Sequence, residues 1–214
     1  MAKLSLEELH EYADSMLADV PEGEPLTPLE KSLIGLGLTA SVTAIDGDAL
    51  DDAIESARTA GATAAQLQEI ISLVSGLGVH SLMMTAVPIA DAYATSSAPL
   101  TPEQQTLWDK HVGSDPFWNA FEVELPRFLG AMLRLSADQF VAFFDYCAVP
   151  WKSGQVRAKI KELAAMACDA TPAHRFGPGF RLHLGNAIKL GAGRLAVAET
   201  LALAAAIPEH AGWR

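Results

Sequence analysis

Cysteine is scarce in this 214-residue chain, which contains only Cys147 and Cys168. The two residues form no Cys-x-x-Cys pair, so the sequence indicates no disulfide framework. Cys168 falls inside a predicted helix, where a lone thiol is more typical of a small core residue than of a nucleophile.

Positive charge is also in short supply. Fifteen Lys and Arg residues face 26 Asp and Glu residues, which gives a formal charge of −11 and argues against binding nucleic acid or an anionic membrane. The first residues have no long apolar core after a basic segment, so they do not resemble a secretory signal. The apolar run at residues 195–208 contains Glu199 and is too short to span a bilayer. We therefore expect a cytoplasmic protein without membrane or nucleic-acid partners.

No segment shows the alternating pattern of a β-strand. Half of the residues are hydrophobic but only 7% are aromatic, a composition that suits closely packed helices. Apolar residues follow helical spacing after the capping-box sequence Thr63-Ala-Ala-Gln66. The sequence therefore predicts an all-α fold.

An internal repeat organises the chain. Residues 26–81 align without a gap on residues 156–211, at an offset of 130 positions, and ten positions are identical. The identical pairs are Lys31 and Lys161, Leu33 and Leu163, Ala40 and Ala170, Gly47 and Gly177, Ala57 and Ala187, Gly61 and Gly191, Ala62 and Ala192, Glu69 and Glu199, Leu73 and Leu203, and His80 and His210. Repeats of this length define whole architectures. We predict one pseudo-symmetric domain in which Gly61 superposes on Gly191.

The repeat divides the chain into four segments. An N-terminal helical segment covers residues 1–25, a degenerate repeat 26–81, a helical connector 82–155 and a second repeat 156–214. The predicted helices of the second repeat lie near Val156–Asp169, Phe180–Leu190 and Leu195–Ile207. The loop between the first two, residues 170–179, is rich in Pro, Gly and polar groups. Such loops often carry function, although turn formation alone accounts for the same composition.

The second repeat resembles the carboxymuconolactone decarboxylase and alkylhydroperoxidase-D superfamily. The resemblance is carried by Lys161-Glu162-Leu163, by His183 and by Gly191-Ala192. It implies that Glu162 and His183 occupy the positions of the family's glutamate and histidine. The equivalent positions of the first repeat are Ser32 and Ala53, so that repeat is interpreted as structural.

The chain differs from the family at the two cysteine positions that carry the family's redox chemistry. The family's two cysteine positions fall on Phe176 and Gly179, and neither residue can supply a thiolate. The resemblance therefore implies no peroxidase activity and no cofactor. The interval between Glu162 and His183 is also two residues longer than usual in the family, so the loop at residues 171–179 looks expanded.

Glu162 and His183 are the first candidates for catalysis, because a carboxylate can orient a histidine and raise its basicity. A histidine hydrogen-bonded within a helical core is the alternative interpretation. His174 is a further catalytic candidate, and Arg175 beside it could clamp a substrate carboxylate; both could instead be ordinary loop residues.

Three more residues are candidates for substrate binding. Asn186 lies three positions after His183 and so on the same helical face, whereas Arg181 does not. Trp151 precedes the second repeat and could line a pocket or anchor a helix in the core. The spacings among Glu162, His174, His183 and His210 match no metal signature, so we predict no metal.

Two functions remain open. The first is a cofactor-independent enzyme, either a decarboxylase-like lyase or an isomerase. Its substrate would be a small carboxylated, lactone or ring-derived compound, as in aromatic compound catabolism. The second is a non-catalytic helical subunit that lost its chemistry with the cysteines. Because single-module relatives form hexameric rings, a duplicated module implies a homo-oligomer, plausibly a trimer.

Overall fold

The structure is a computed structural model that describes residues 4–93, 95 and 97–208. This part of the chain contains twelve α-helices, one short 3-10 helix at Ser75–Gly78 and no strands, which confirms the predicted all-α class. The helices are α1 (Leu6–Leu17), α2 (Pro28–Ala40), α3 (Gly47–Thr59), α4 (Ala64–Val74), α5 (Val79–Ala92), α6 (Pro102–His111), α7 (Pro116–Glu124), α8 (Phe128–Leu135), α9 (Ala137–Lys152), α10 (Ala158–Asp169), α11 (Gly177–Lys189) and α12 (Arg194–Ala205).

Local sequence sets where many of these helices begin. The predicted capping box before α4 is present: the Thr63 hydroxyl accepts from the Gln66 N–H, and the Gln66 side chain accepts from the Thr63 N–H. The same reciprocal arrangement starts α1, α2 and α6. Each box satisfies backbone donors that have no partner inside the helix.

The chain divides into two compact units, Met1–Leu77 with Val149–Arg214 and Gly78–Ala148. In the first unit α10 is the central helix, and all of its residues from Ile160 to Asp169 are buried. It packs on α2, α4, α11 and α12, while α1 packs on α11. Both predicted repeats contribute helices to this unit.

The second unit is built around aromatic side chains from the segment between the repeats. Helix α8 packs on α5 and α6. Phe128 contacts Phe121 and Phe143 with ring centroids 6.0 and 5.6 Å apart, and Phe140 contacts Phe144 at 4.9 Å. Most of the chain's few aromatic residues therefore serve this core.

The two repeats have the same local structure at the predicted offset. Helices α2, α3 and α4 begin 130 residues before α10, α11 and α12. Gly61 and Gly191 adopt positive φ values of 91° and 86° in equivalent turns, and so do Ile45 and Arg175, at 38° and 49°. Superposition of the two repeats as whole bodies stays a prediction.

Helix α11 begins earlier than the sequence indicated. It starts at Gly177 rather than Phe180, so Pro178 and Gly179 lie in its first turn and the loop is three residues shorter than expected. Proline suits this position because its fixed φ is helical and its missing N–H would have had no partner there.

Two lysine–glutamate pairs connect the repeats reciprocally. Lys161 of the second repeat contacts Glu69 of the first at 2.7 Å, and Lys31 of the first contacts Glu199 of the second at 2.7 Å. The pairs differ in burial: the Lys161 and Glu69 side chains are 3% and 2% exposed, the Lys31 and Glu199 side chains 43% and 25%. The same two residue types at equivalent repeat positions therefore form one buried and one partly exposed ion pair.

Glu69 is the more heavily bonded carboxylate of the two. It also accepts hydrogen bonds from the Ser153 hydroxyl and from the N–H groups of Gln155 and Val156. Burial alone would raise the pKa of Glu69. The hydrogen bonds from Lys161 and from these three donors have the larger effect and lower the pKa to about 2. A carboxylate with so many donors stays ionised inside the core.

The segment before α2 supplies hydrogen-bond acceptors to the first turn of α12. Helix α12 has no side-chain cap; instead its Arg194 and Leu195 N–H groups donate to the carbonyls of Pro21 and Glu22, at 3.0 and 2.9 Å. The backbones are so close that a Cβ on Gly193 would lie 2.6 Å from the Cα of Gly23. Glycine is therefore required at this crossing.

The stretch Ala64–Ala92, which joins α4 to α5, is long and apolar enough to cross a membrane by length and composition. One such helix is weak evidence for a membrane span, and 22% of its most apolar window is buried in this structure.

The buried ion pair gives a stability prediction. Lys161→Met keeps an apolar chain of similar length but leaves the Glu69 carboxylate buried without its cation, so we expect the free energy of unfolding in urea to fall by about 3–5 kcal/mol. The matched control is Lys31→Met at the equivalent position of the first repeat, where water screens the charge and the loss should be much smaller. Equal losses would contradict this account of the two pairs.

Candidate active site

The centre of the candidate site is a hydrogen-bonded pair of side chains from two neighbouring helices. Glu162 projects from α10 and His183 from α11, and the Nδ1 atom of His183 lies 2.7 Å from Oε2 of Glu162. The glutamate side chain is 7% exposed and the histidine side chain 22%. The pair is thus sheltered at the carboxylate and open at part of the imidazole.

Asn186 fixes the second oxygen of the glutamate. Its Nδ2 atom donates to Oε1 of Glu162 at 3.3 Å. Asn186 reaches the carboxylate because it lies one helical turn after His183 on α11, on the same face. The two oxygens of Glu162 are therefore held separately, and the carboxylate is oriented towards the imidazole.

The environment of His183 favours the protonated imidazole. Burial by itself lowers its pKa, but the hydrogen bond and charge of Glu162 and the charge of Asp169 together raise the pKa of His183 above its ordinary value of 6.5. With Nδ1 committed to Glu162, the other ring nitrogen is the one left to exchange a proton with a ligand.

A second ionisable group, Asp169, lies at the end of α10. It is 1% exposed, and its Oδ1 atom is 3.6 Å from Nε2 of His174. Burial raises the pKa of Asp169 to about 8, while the charge of His183 acts in the lowering direction. Sequence reasoning missed this residue, although its spacing of two helical turns from Glu162 places both on one side of α10.

His174 joins the site through Asp169. Its side chain is 19% exposed, and its ring stacks on Phe176 with centroids 5.7 Å apart. Burial lowers the pKa of His174, opposite to the shift at His183. The two histidines therefore have different electrostatic environments.

Three residues predicted to bind substrate do not contact the Glu162–His183 pair directly. Arg175 is exposed on the loop, in a left-handed backbone conformation. Arg181 stacks over the Tyr12 ring on α1, 4.9 Å from its centroid. The Trp151 ring lies beneath Lys161 Nζ at 4.8 Å, next to the buried ion pair. Of the binding candidates, Asn186 is the one that directly contacts the Glu162–His183 pair.

The first repeat has no ionisable group at any equivalent position. Glu162, Asp169, His174, His183 and Asn186 correspond to Ser32, Thr39, Ala44, Ala53 and Ser56. Two of these bond to their own helix: the Ser32 hydroxyl donates to Leu29 O and the Thr39 hydroxyl to Gly35 O. The site residues are therefore specific to the second repeat.

The positions that the resemblance assigns to a thiol pair carry other groups. The Phe176 ring and the Asp169 carboxylate both lie against the bare Cα of Gly179. The two cysteines of the chain are elsewhere, and burial raises the pKa of Cys147 to about 11 and that of Cys168 higher still. Neither thiol is poised to ionise near neutral pH.

A cavity of about 490 Å³ belongs to the first repeat rather than to this site. Its walls come from α2, α3, α4 and the loop between α2 and α3, and Asp46 and Leu50 line it. The equivalent residues of the second repeat are the buried rings of Phe176 and Phe180. The cavity lining is mainly apolar, so the Glu162–His183 pair stays the candidate site.

Sequence comparison alone gives no relatives: the chain matches no protein-family profile and no curated protein. Its structure is similar to the crystal structure of a "putative gamma-carboxymuconolactone decarboxylase subunit" from Burkholderia xenovorans LB400. The TM-score is 0.69 at 25% sequence identity, over 92% of this chain and 77% of the other.

The two histidines give a titration prediction. By NMR, His183 should titrate above 6.5 and His174 below it. Glu162→Gln should lower the midpoint of His183, because the ring loses its anionic partner, and should affect His174 less. The reverse order of the two midpoints in the wild-type protein would contradict the environments described here.

The same shift has a consequence for stability. Because the pKa of His183 is raised in the folded state, its pair with Glu162 stabilises the fold fully below the unfolded value near 6.5 and loses this contribution as pH rises through the folded pKa.

Proposed function

We propose that this chain, which has a carboxymuconolactone decarboxylase-like fold, is a cofactor-independent acid–base enzyme of the lyase or isomerase class. The observation that carries the proposal is the 2.7 Å bond between His183 and Glu162, with the imidazole partly open and the carboxylate oriented by Asn186. Such a buried, oriented dyad suits proton transfer to or from a bound ligand.

His183 is the proton carrier in this proposal. Glu162 accepts a hydrogen bond from Nδ1–H and stabilises the imidazolium, so the other ring nitrogen takes up or releases the proton. Glu162 does not need to change its own protonation state; it fixes the tautomer and orientation of the ring. The raised pKa of His183 increases the protonated fraction near neutral pH, which suits a general acid.

The proposed substrate is a small carboxylated lactone or related ring-derived acid, in line with the description of the structural relative. In a decarboxylation the bond to CO₂ breaks, its electron pair moves into a conjugated carbonyl, and the resulting enolate receives a proton at carbon. Protonated His183 would supply that proton. Exposed Arg175 is the proposed anchor for a substrate carboxylate, since guanidinium groups bind carboxylates in a bidentate manner.

Assembly also remains a proposal. We expect a homo-oligomer, with a trimer as the proposed state, in which each chain supplies one site from its second repeat. A non-catalytic helical binding or assembly subunit is the alternative role, and measurement of turnover separates the two.

The test uses γ-carboxymuconolactone and related carboxylated lactones, with CO₂ release and loss of substrate as readouts. His183→Ala should lower turnover by about 10²–10⁴-fold, the range of positioned proton transfer. Glu162→Gln should cost less, because the amide can still orient the ring, and Arg175→Ala should mainly raise KM. His10→Ala, on the exposed face of α1, is the control and should behave like wild type.

Two outcomes would count against catalysis. A folded His183→Ala protein with wild-type turnover would remove His183 from the mechanism. A wild-type protein that neither turns over nor binds any of these acids would favour the non-catalytic subunit.

The thiols give an independent prediction. Cys147→Ser and Cys168→Ser should leave turnover of the carboxylated substrate largely intact, because neither thiol is a thiolate near neutral pH. The wild-type protein should reduce neither hydroperoxides nor disulfides. Complete loss of turnover in folded Cys168→Ser would overturn this interpretation.

A further inference from the structure

Three features of Asp169 stand out beyond the Glu162–His183 pair. The residue is 1% exposed, ends the central helix α10 and lies two turns from Glu162 on the same side. A carboxyl group at such depth is costly unless neighbouring groups stabilise it. Its placement therefore calls for a reason specific to this part of the fold.

The neighbour on one side of Asp169 is His174. The Oδ1 atom of the carboxyl lies 3.6 Å from Nε2 of the His174 ring, and that ring stacks on Phe176 with centroids 5.7 Å apart. The imidazole thus contacts both a carboxyl group and an aromatic ring. This arrangement fixes the orientation of a side chain that is otherwise partly open to solvent.

The neighbour on the other side is α11, and Gly179 makes the contact possible. A Cβ at position 179 would overlap Oδ2 of Asp169 and would lie 2.8 Å from Cδ1 of Phe176. The residues of the first repeat equivalent to Gly179 and Asp169 are Ala49 and Thr39. The carboxyl group therefore occupies space that a side chain on α11 would otherwise take.

We infer that Asp169 is a positioning residue of the site, which holds His174 in place and acts electrostatically on His183, and that Gly179 is required to admit its carboxyl group. The inference deepens the proposed function and rests on it for its catalytic meaning. Asp169 is too deeply buried to touch a substrate, so it acts through the two histidines. Within the first unit, Glu162 and Asp169 are the charges that raise the pKa of His183, and His174 on the loop lies 3.6 Å from Asp169.

The charge of Asp169 contributes to the upward shift of the His183 pKa, and the charge of His183 acts in return on Asp169. The two groups are therefore coupled even though each also has a nearer partner, Glu162 for His183 and His174 for Asp169.

The experiment is a histidine NMR titration of the full chain in three variants. Asp169→Asn removes the ionisable group while keeping the shape, and Gly179→Ala displaces the carboxyl group without removing it. Gly185→Ala is the matched control, because it also adds a methyl group to α11 but meets only Met16 Cε, at 3.6 Å. Circular dichroism establishes that each variant is folded.

We expect Asp169→Asn and Gly179→Ala to shift the His183 midpoint to lower pH and to change the His174 ring signals, and Gly185→Ala to leave both unchanged. Where Asp169→Asn does not fold, Gly179→Ala decides. Unchanged titration of His183 and unchanged His174 signals in the folded variants would overturn the inference.

The titration needs no substrate, so it can fail or succeed separately from the proposed function. If turnover of the carboxylated lactones is also measured, Asp169→Asn should lower kcat with little change in KM, as expected of a group that does not touch substrate. A shift of His183 without any turnover would keep the coupling and reject the enzyme.

Discussion

Burying α10 from Ile160 to Asp169 takes the ionisable side chains of Lys161, Glu162 and Asp169 out of water, and each needs compensation from another part of the fold. Lys161 forms an ion pair with Glu69 on α4. Glu162 is hydrogen-bonded to His183 and Asn186 on α11. Asp169 lies next to His174 on the loop. Because an unpaired buried charge costs several kcal/mol, these contacts restrict how the surrounding elements can be arranged. The same requirement that organises the core also brings the candidate catalytic groups together.

Much of the fold followed from the repeat. Its offset of 130 residues reproduces the helix starts in both halves and places Gly61 and Gly191 in equivalent turns. The Glu162–His183 contact was also predictable, because the resemblance placed both residues in a known helical module and Asn186 followed from helical spacing.

The rest depended on information that a linear pattern does not contain. The neighbours of Arg181 and Trp151 are set by α1 and by the Lys161–Glu69 pair, which only tertiary packing reveals. Asp169 was missed because its partner lies on a loop whose backbone geometry the sequence does not specify. The early start of α11 was missed because Gly177-Pro178-Gly179 is as typical of a turn as of a first helical turn.

The close crossing of Gly23 and Gly193 bears on how this protein can be engineered. The segment after α1 supplies the carbonyls that complete the first turn of α12, and α1 itself covers α11, the helix that carries His183. Trimming the first 25 residues would expose helix donors at one end and the back of the site helix at the other. A fusion partner is therefore better joined ahead of α1 than in place of it.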